Sequence, residues 1–174
     1  MAFYLLKGLI ASPTPLFINL FEASGLAGVG MPYSPDATHP VMLANIASIE
    51  IPPLTMPLIE WNKTQPSAFL SVFGVDANQI ADRHFMPRLL LGAYFRDELD
   101  QLSSVGMRKG HRMRLRENTR VIDGELSGAD VRLTDRTGGD PELFDHVVLA
   151  SGHDWPDDDG KFRIMPSHWS GLID

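Results

Sequence analysis

Glu22 closes a short apolar run, Leu16-Phe17-Ile18-Asn19-Leu20-Phe21. An acid in that place could do a specific job. A carboxylate only accepts hydrogen bonds, so it can take both hydroxyl protons of a ribose. In a dinucleotide-binding unit such an acid ends the second strand, about 20 residues beyond a glycine-rich loop. Taken alone, Glu22 reads more simply as the end of a strand. Gly25, Gly28 and Gly30 follow it. They cannot replace a G-x-G-x-x-G loop, because that loop must precede a helix whose free N–H groups receive the phosphate. No such loop stands upstream of Glu22, and only Met1 and Ala2 precede the first helical stretch.

Other groups of reactive side chains point less far. Arg108, Lys109, His111, Arg112, Arg114, Arg116 and Arg120 form a basic stretch. It could meet RNA or the extra phosphate of NADP, but no aromatic residues interleave with it to stack bases. It reads as a solvated strand face. Asp157, Asp158 and Asp159 lack the D-x-D-x-D-G spacing that wraps calcium and read as a surface loop. No H-E-x-x-H occurs among the 6 histidines. His153, beside the glycine at 152, could reach a cofactor or make a structural hydrogen bond. Ser34, Ser48 and Ser151 lack a G-x-S-x-G setting. With 0 cysteines, a disulfide, a thiol nucleophile and a Cys-ligated zinc are excluded.

The elements that must position these groups follow from the pattern. Phe3, Leu6 and Ile10 keep helical spacing, with Leu5 and Leu9 widening the stripe, and Pro13 and Pro15 stop that helix. The run ending in Glu22 reads as a strand buried on both faces of a parallel sheet. From Ala23 to Pro57 glycines and prolines break every period, which predicts a long loop with short helical turns. A helix is predicted from Pro87, with Leu91, Phe95, Leu99 and Leu102 on one face, Arg96, Asp97, Glu98 and Asp100 mostly elsewhere, and Gly106 as its end. Alternation over Arg112–Arg116 and Val131–Thr134 predicts strands, and Thr137-Gly138-Gly139-Asp140 a turn. Phe144 to Gly152 reads as a second buried strand. The 174 residues fit a single domain. A net charge of −7 argues against a general nucleic-acid or anionic-membrane partner. No apolar run reaches the roughly 18 residues of a membrane span, and Lys7 interrupts an apolar start that lacks the charge of a signal peptide. The expectation is a cytoplasmic protein.

Four segments, in this order, resemble one flavoprotein family. Phe21-Glu22-Ala23-Ser24-Gly25-Leu26-Ala27-Gly28-Val29-Gly30-Met31-Pro32-Tyr33-Ser34 is similar to a ribose acid followed by a glycine-rich G-x-G-x-x-Y-S turn. His39-Pro40-Val41-Met42-Leu43-Ala44-Asn45 is a looser match to His-Leu-Leu-Asn. Pro87-Arg88-Leu89-Leu90-Leu91-Gly92-Ala93-Tyr94 looks like Pro-Arg-x-x-x-Gly-x-Tyr. Asp145-His146-Val147-Val148-Leu149-Ala150-Ser151-Gly152-His153 looks like D-x-V-V-L-A-T-G-H with serine for threonine. Together they resemble the FAD/NAD(P)-binding domain of flavin-dependent urate hydroxylase-like and L-aspartate N-monooxygenase-like proteins, over roughly residues 3–156.

The resemblance implies an α/β fold: a partial Rossmann-like FAD/NAD(P)-binding domain over residues 1–174, lacking the first strand and glycine-rich loop, with a small antiparallel β layer. It implies FAD as cofactor, with NAD(P)H possible as reductant, and a flavin-dependent, monooxygenase-like oxidoreductase as parent. Glu22 would take the ribose. Gly28 and Gly30 would bring backbone N–H groups to phosphate or ribose oxygens. Met42, Leu43 and Asn45 would line the flavin region. Arg88 would pair with a pyrophosphate or an anionic substrate, or else stand as a surface arginine. Val121 would present backbone to the adenine, and Ser151 and Gly152 would end a strand beside the cofactor. No acid, base or nucleophile stands out, so no catalytic residue is assigned. Without the loop that seats the pyrophosphate, cofactor affinity is expected to be weak or absent, and the chain to be a fragment with an open sheet edge and poor solubility. Two alternatives stay open: a noncatalytic remnant that docks a protein partner on that edge, and a small binding domain unrelated to flavoproteins.

Overall fold

The computed structural model describes residues 2–152. Helix α1 spans Ala2–Leu9 and buries Leu6 and Ile10, which lie one turn apart on the same face. Leu5 and Leu9, expected to widen that stripe, are exposed. The chain then turns at Ser12-Pro13-Thr14-Pro15 into strand β1, Phe17–Phe21. A long segment of loops and 3-10 turns follows, at Met31–Tyr33 and Ser48–Glu50, as the glycines and prolines predict. Helices α2 (Leu58–Thr64) and α3 (Ser67–Val72) each begin directly after a proline, Pro57 and Pro66.

Helix α4 is the long one, Arg88–Arg108. Leu90, Leu91 and Tyr94 are fully buried with Leu58 and Trp61 of α2 and Leu70 of α3 in one apolar cluster. Burying each such aliphatic side chain contributes roughly 1.5–3 kcal/mol. Leu99 and Leu102, further along, join Leu6 and Ile10 in a second cluster against Ile18, Leu20, Met113 and Leu115. Gly106 does not end the helix. It is buried inside the last turn, where a Cβ would meet Ile10 Cγ2 at 3.0 Å and Met113 Sδ at 3.2 Å. The terminator is Gly110, at φ 93, just before strand β2, Arg112–Arg116.

Strands β1 and β2 pair in parallel, Phe17 opposite Arg112 through Phe21 opposite Arg116. Helices α2 to α4 form the crossover between them, the βαβ arrangement that parallel strands require. Strands β3 (Val121–Ser127), β4 (Asp130–Asp135) and β5 (Glu142–Phe144) form a separate antiparallel sheet. The molecule is thus mixed α/β, with α1 and α4 on the Ile18 and Leu20 face of the parallel pair. The antiparallel sheet meets the other face, where Phe21 contacts Phe144 edge to face at 5.8 Å. Arg116 joins the two sheets through Glu142 and Asp135, with its guanidinium 4.8 Å from the Phe21 ring centre.

Two strand expectations need correction. β1 is not buried on both faces: Phe17 is 53% exposed and the remaining residues are half-buried. It pairs on one edge only among the described residues. The second run expected to be a buried strand contributes only Phe144, as the end of antiparallel β5. Residues 145–152 form no strand, and Val148 and Leu149 are 61% and 89% exposed. An apolar run becomes a buried strand only where neighbours accept its backbone groups, and here none do. The basic stretch is only partly a solvated face. Arg112 and Arg114 are exposed, but Arg112 lies 4.8 Å over the Phe17 ring and Arg116 is held in the ion pairs above.

Candidate functional site

Glu22 sits one residue past the carboxyl end of β1, with its N–H donating to Arg116 O at 2.9 Å. The carboxyl ends of parallel strands are where α/β sheets place their ligands. Glu22 Oε1 accepts from both the backbone N–H and the hydroxyl of Ser24, each at 2.8 Å. Its second oxygen takes no hydrogen bond from the described residues. The turn after β2 lies directly alongside: Asn118 N donates to Ser24 O at 2.7 Å and Thr119 N to Glu22 O at 2.9 Å. Val121 opens β3 just beyond and shares a small cavity with Phe21 and Arg116.

Gly28 and Gly30 both hold positive φ, 90 and 64. Gly28 faces α4: a Cβ there would stand 3.3 Å from both Phe95 O and Leu99 Cδ2. Its missing side chain therefore lets the loop lie on the helix. Gly30 caps the 3-10 turn Met31–Tyr33 and is exposed.

Met42, Leu43 and Asn45 gather with Arg88 at the start of α4. Leu43 bridges to Pro87, Arg88 N donates to Met42 O at 2.9 Å, and Arg88 Nε donates to Leu43 O at 3.1 Å. Met42, Leu43 and Asn45 are exposed, so this corner offers apolar surface, one amide and the remaining donors of a guanidinium. Ser151 and Gly152 are exposed, in a segment without strand pairing. The structure thus groups Glu22 with Val121, and Met42, Leu43 and Asn45 with Arg88. Helix α4 links the two groups, touching Tyr33 at Gly92 and Gly28 at Phe95. His153 and Asp157 to Asp159 lie outside the described residues.

The sequence reading missed several residues that hold this arrangement. Arg96 reaches from α4 to Ala27 O at 3.1 Å and to Glu117. Glu117 Oε1 accepts from Ala27 N at 2.8 Å. That backbone donor first, then Arg96, holds the Glu117 carboxyl below the usual glutamate range. Buried Glu98 accepts from Thr55 N at 2.5 Å, Thr55 Oγ1 at 2.9 Å and Met56 N at 3.2 Å. Tyr94 donates to Met56 O at 2.7 Å, and burial, with Glu98 nearby, raises its phenol well above the usual range. A charged residue within an otherwise apolar helical face was the only available signal for Glu98.

A parallel strand pair with a carboxylate at its end, backed by a long helix, is consistent with an α/β FAD/NAD(P)-binding domain. The chain belongs to the FAD-NAD(P)-binding family, whose model matches residues 1–154. It is similar to the uncharacterized protein YdhS of Escherichia coli strain K12, 41% identical over 172 residues, covering 98% of this chain and 32% of that protein. The chain therefore spans about a third of that relative's length. Among the described residues no helix is long and apolar enough to cross a membrane.

The residues present fit a dinucleotide in part. Glu22 keeps a carboxylate oxygen for ribose hydroxyls, and Arg88 keeps donors for an anion. At Gly28 the absence of a side chain serves the packing of the loop on α4.

Proposed function

We propose that this chain forms part of an FAD site, with weakened affinity, in a flavin-dependent, monooxygenase-like oxidoreductase reduced by NAD(P)H and working in the cytoplasm. The observation that supports it most is Glu22, at the carboxyl end of a parallel strand with one carboxylate oxygen uncommitted. Its Ser24 contacts fix the carboxylate rather than neutralise it. The exposed Met42 and Leu43, with Asn45 and Arg88 beside them, suit the flavin side, and Val121 suits the adenine side. Bound flavin would supply the redox chemistry. This chain's residues would bind and orient it.

The test is the visible spectrum of the purified chain after incubation with FAD and gel filtration. A weak flavin band that travels with the protein, and is lost in Glu22→Ala, is the expected result. Absence of the band in the unsubstituted chain overturns the reading. The edge of β1 that has no strand partner among the described residues favours a second reading, in which a partner strand docks there and the chain acts as an interaction module.

A further inference from the structure

The loop that leaves Glu22 is held at three points by three consecutive residues at the end of β2. Thr119 N binds Glu22 O, Asn118 N binds Ser24 O, and the Glu117 carboxylate takes Ala27 N. Between these anchors, a Cβ on Gly25 would come within 3.2 Å of Asn118 Oδ1, so the loop lies close against the turn. Asn118 itself adopts φ 52, a left-handed conformation that asparagine tolerates better than most residues. Glu117 is braced from the other side. Arg96 of α4 pairs with the oxygen that receives Ala27 N–H, and Asp100, one turn on, stands 3.6 Å from Arg96 Nε. The path from Glu117 runs through Ala27 to Ser24, whose N–H and hydroxyl both hold the Glu22 carboxylate.

We infer that Glu117, braced by Arg96, is a positioning residue for nucleotide recognition: it fixes the loop over residues 22–27 so that Glu22 presents its carboxylate to the ribose hydroxyls. The inference rests on the reading of Glu22 proposed above. Without Glu117, Ala27 N–H loses its acceptor and Arg96 keeps only Asp100 and Ala27 O, so the far end of the loop is held by a single hydrogen bond from Arg96. Glu22 then keeps its Ser24 contacts, but the loop that carries them is held less firmly. The consequence is specific. Affinity for the phosphates falls little, while discrimination between ribose and deoxyribose falls.

The test uses the full chain with two probes, ADP and 2′-deoxy-ADP, titrated by calorimetry or NMR, with urea unfolding run on each variant. The unsubstituted chain is expected to prefer ADP by about tenfold, the value of a hydrogen bond to a charged group. Glu117→Ala is expected to remove most of that preference. A purely structural role would weaken both nucleotides equally and leave the ratio unchanged, so an unchanged ratio in Glu117→Ala overturns the inference. If Glu117→Ala does not fold, Glu117→Gln replaces it, since it keeps an acceptor for Ala27 N–H but loses the ion pair. Its ratio is expected to fall about threefold, reflecting the weaker neutral hydrogen bond, and an unchanged ratio again overturns the inference. If the unsubstituted chain shows no preference for ADP, the reading of Glu22 fails as well, a result distinct from an unchanged ratio in the variants.

Discussion

Gly92→Ala sets two effects of known sign against each other. Alanine in a helix interior is favoured over glycine by about 0.8–1.0 kcal/mol, and Gly92 lies well inside α4. On propensity alone the substitution stabilises. The structure predicts the opposite. A Cβ at Gly92 would meet the carbonyl oxygen of Tyr33 far closer than real Cβ atoms come, with Tyr33 C and Cβ both at 3.4 Å. The obstacle is backbone, so no side-chain rotation relieves it. Either the 3-10 turn Met31–Tyr33 moves off the helix or α4 bends. Overpacking of this kind costs about 1–3 kcal/mol and occasionally more, enough to cancel the propensity gain and reverse the sign. Gly8→Ala in α1 is the control, since nothing lies within 4 Å of its Cβ position. Urea unfolding should show Gly8→Ala raising the midpoint and Gly92→Ala lowering it. If both variants are stabilised, the contact between α4 and the glycine-rich loop is not as described, and the account of why this helix start carries a glycine fails.

Three further outcomes follow from contacts in the structure. Tyr94→Phe leaves the half-buried Met56 carbonyl without its 2.7 Å partner on the fully buried Tyr94 ring, and should cost about 1–3 kcal/mol in chemical denaturation; a cost near zero would mean water reaches that carbonyl. The Glu117 carboxyl is depressed in the folded chain, so its contribution to stability is present above the ordinary glutamate range and is lost as pH falls through the lower folded value. Glu117→Gln should therefore lose less stability relative to the unsubstituted chain at acid pH than at neutral pH, and parallel curves would count against the Ala27 and Arg96 contacts. His111 accepts from Leu16 N at Nδ1 (3.1 Å) and lies 3.3 Å from Ile10 O through Nε2, which requires the neutral tautomer with its proton on Nε2. Nitrogen-detected NMR of the ring at neutral pH should show Nδ1 unprotonated, and the opposite tautomer would mean that the join between α1 and β1 is built differently.

Several elements were legible in the sequence for physical reasons. Leu91, Leu99 and Leu102 repeat at helical spacing because one side of α4 meets both apolar clusters, and Pro87 marks its start because a proline fits just before the first turn. Met113 and Leu115 alternate with arginines because β2 has one covered face and one open face. Glu22 was visible because an acid directly after a strand whose residues are apolar but for Asn19 needs a reason. Strand β4 was visible in the alternation of Val131 and Leu133 with Arg132 and Thr134, and the turn after it in Gly138 and Gly139.

What sequence reading missed depends on neighbours that no local pattern encodes. Gly106 looks like a helix terminator, yet the space it keeps open belongs to Ile10 and Met113, remote in sequence. Gly28 suggests backbone offered to a phosphate, yet its missing side chain also lets the loop lie on α4, a contact no local pattern encodes. Phe144 to Gly152 read as a buried strand, but composition supplies only the apolar side chains and not the backbone partners. Glu98 and Glu117 look like surface acids until the folded chain brings Thr55, Met56 and Ala27 N–H groups to them. The sequence by itself determined periodicity, turns and the strand-end acid, because these arise from each residue's own conformational and solvation preferences. Only the tertiary structure decided which glycines are contacts and which carboxylates are anchors, because those roles are set by atoms that meet across long stretches of chain.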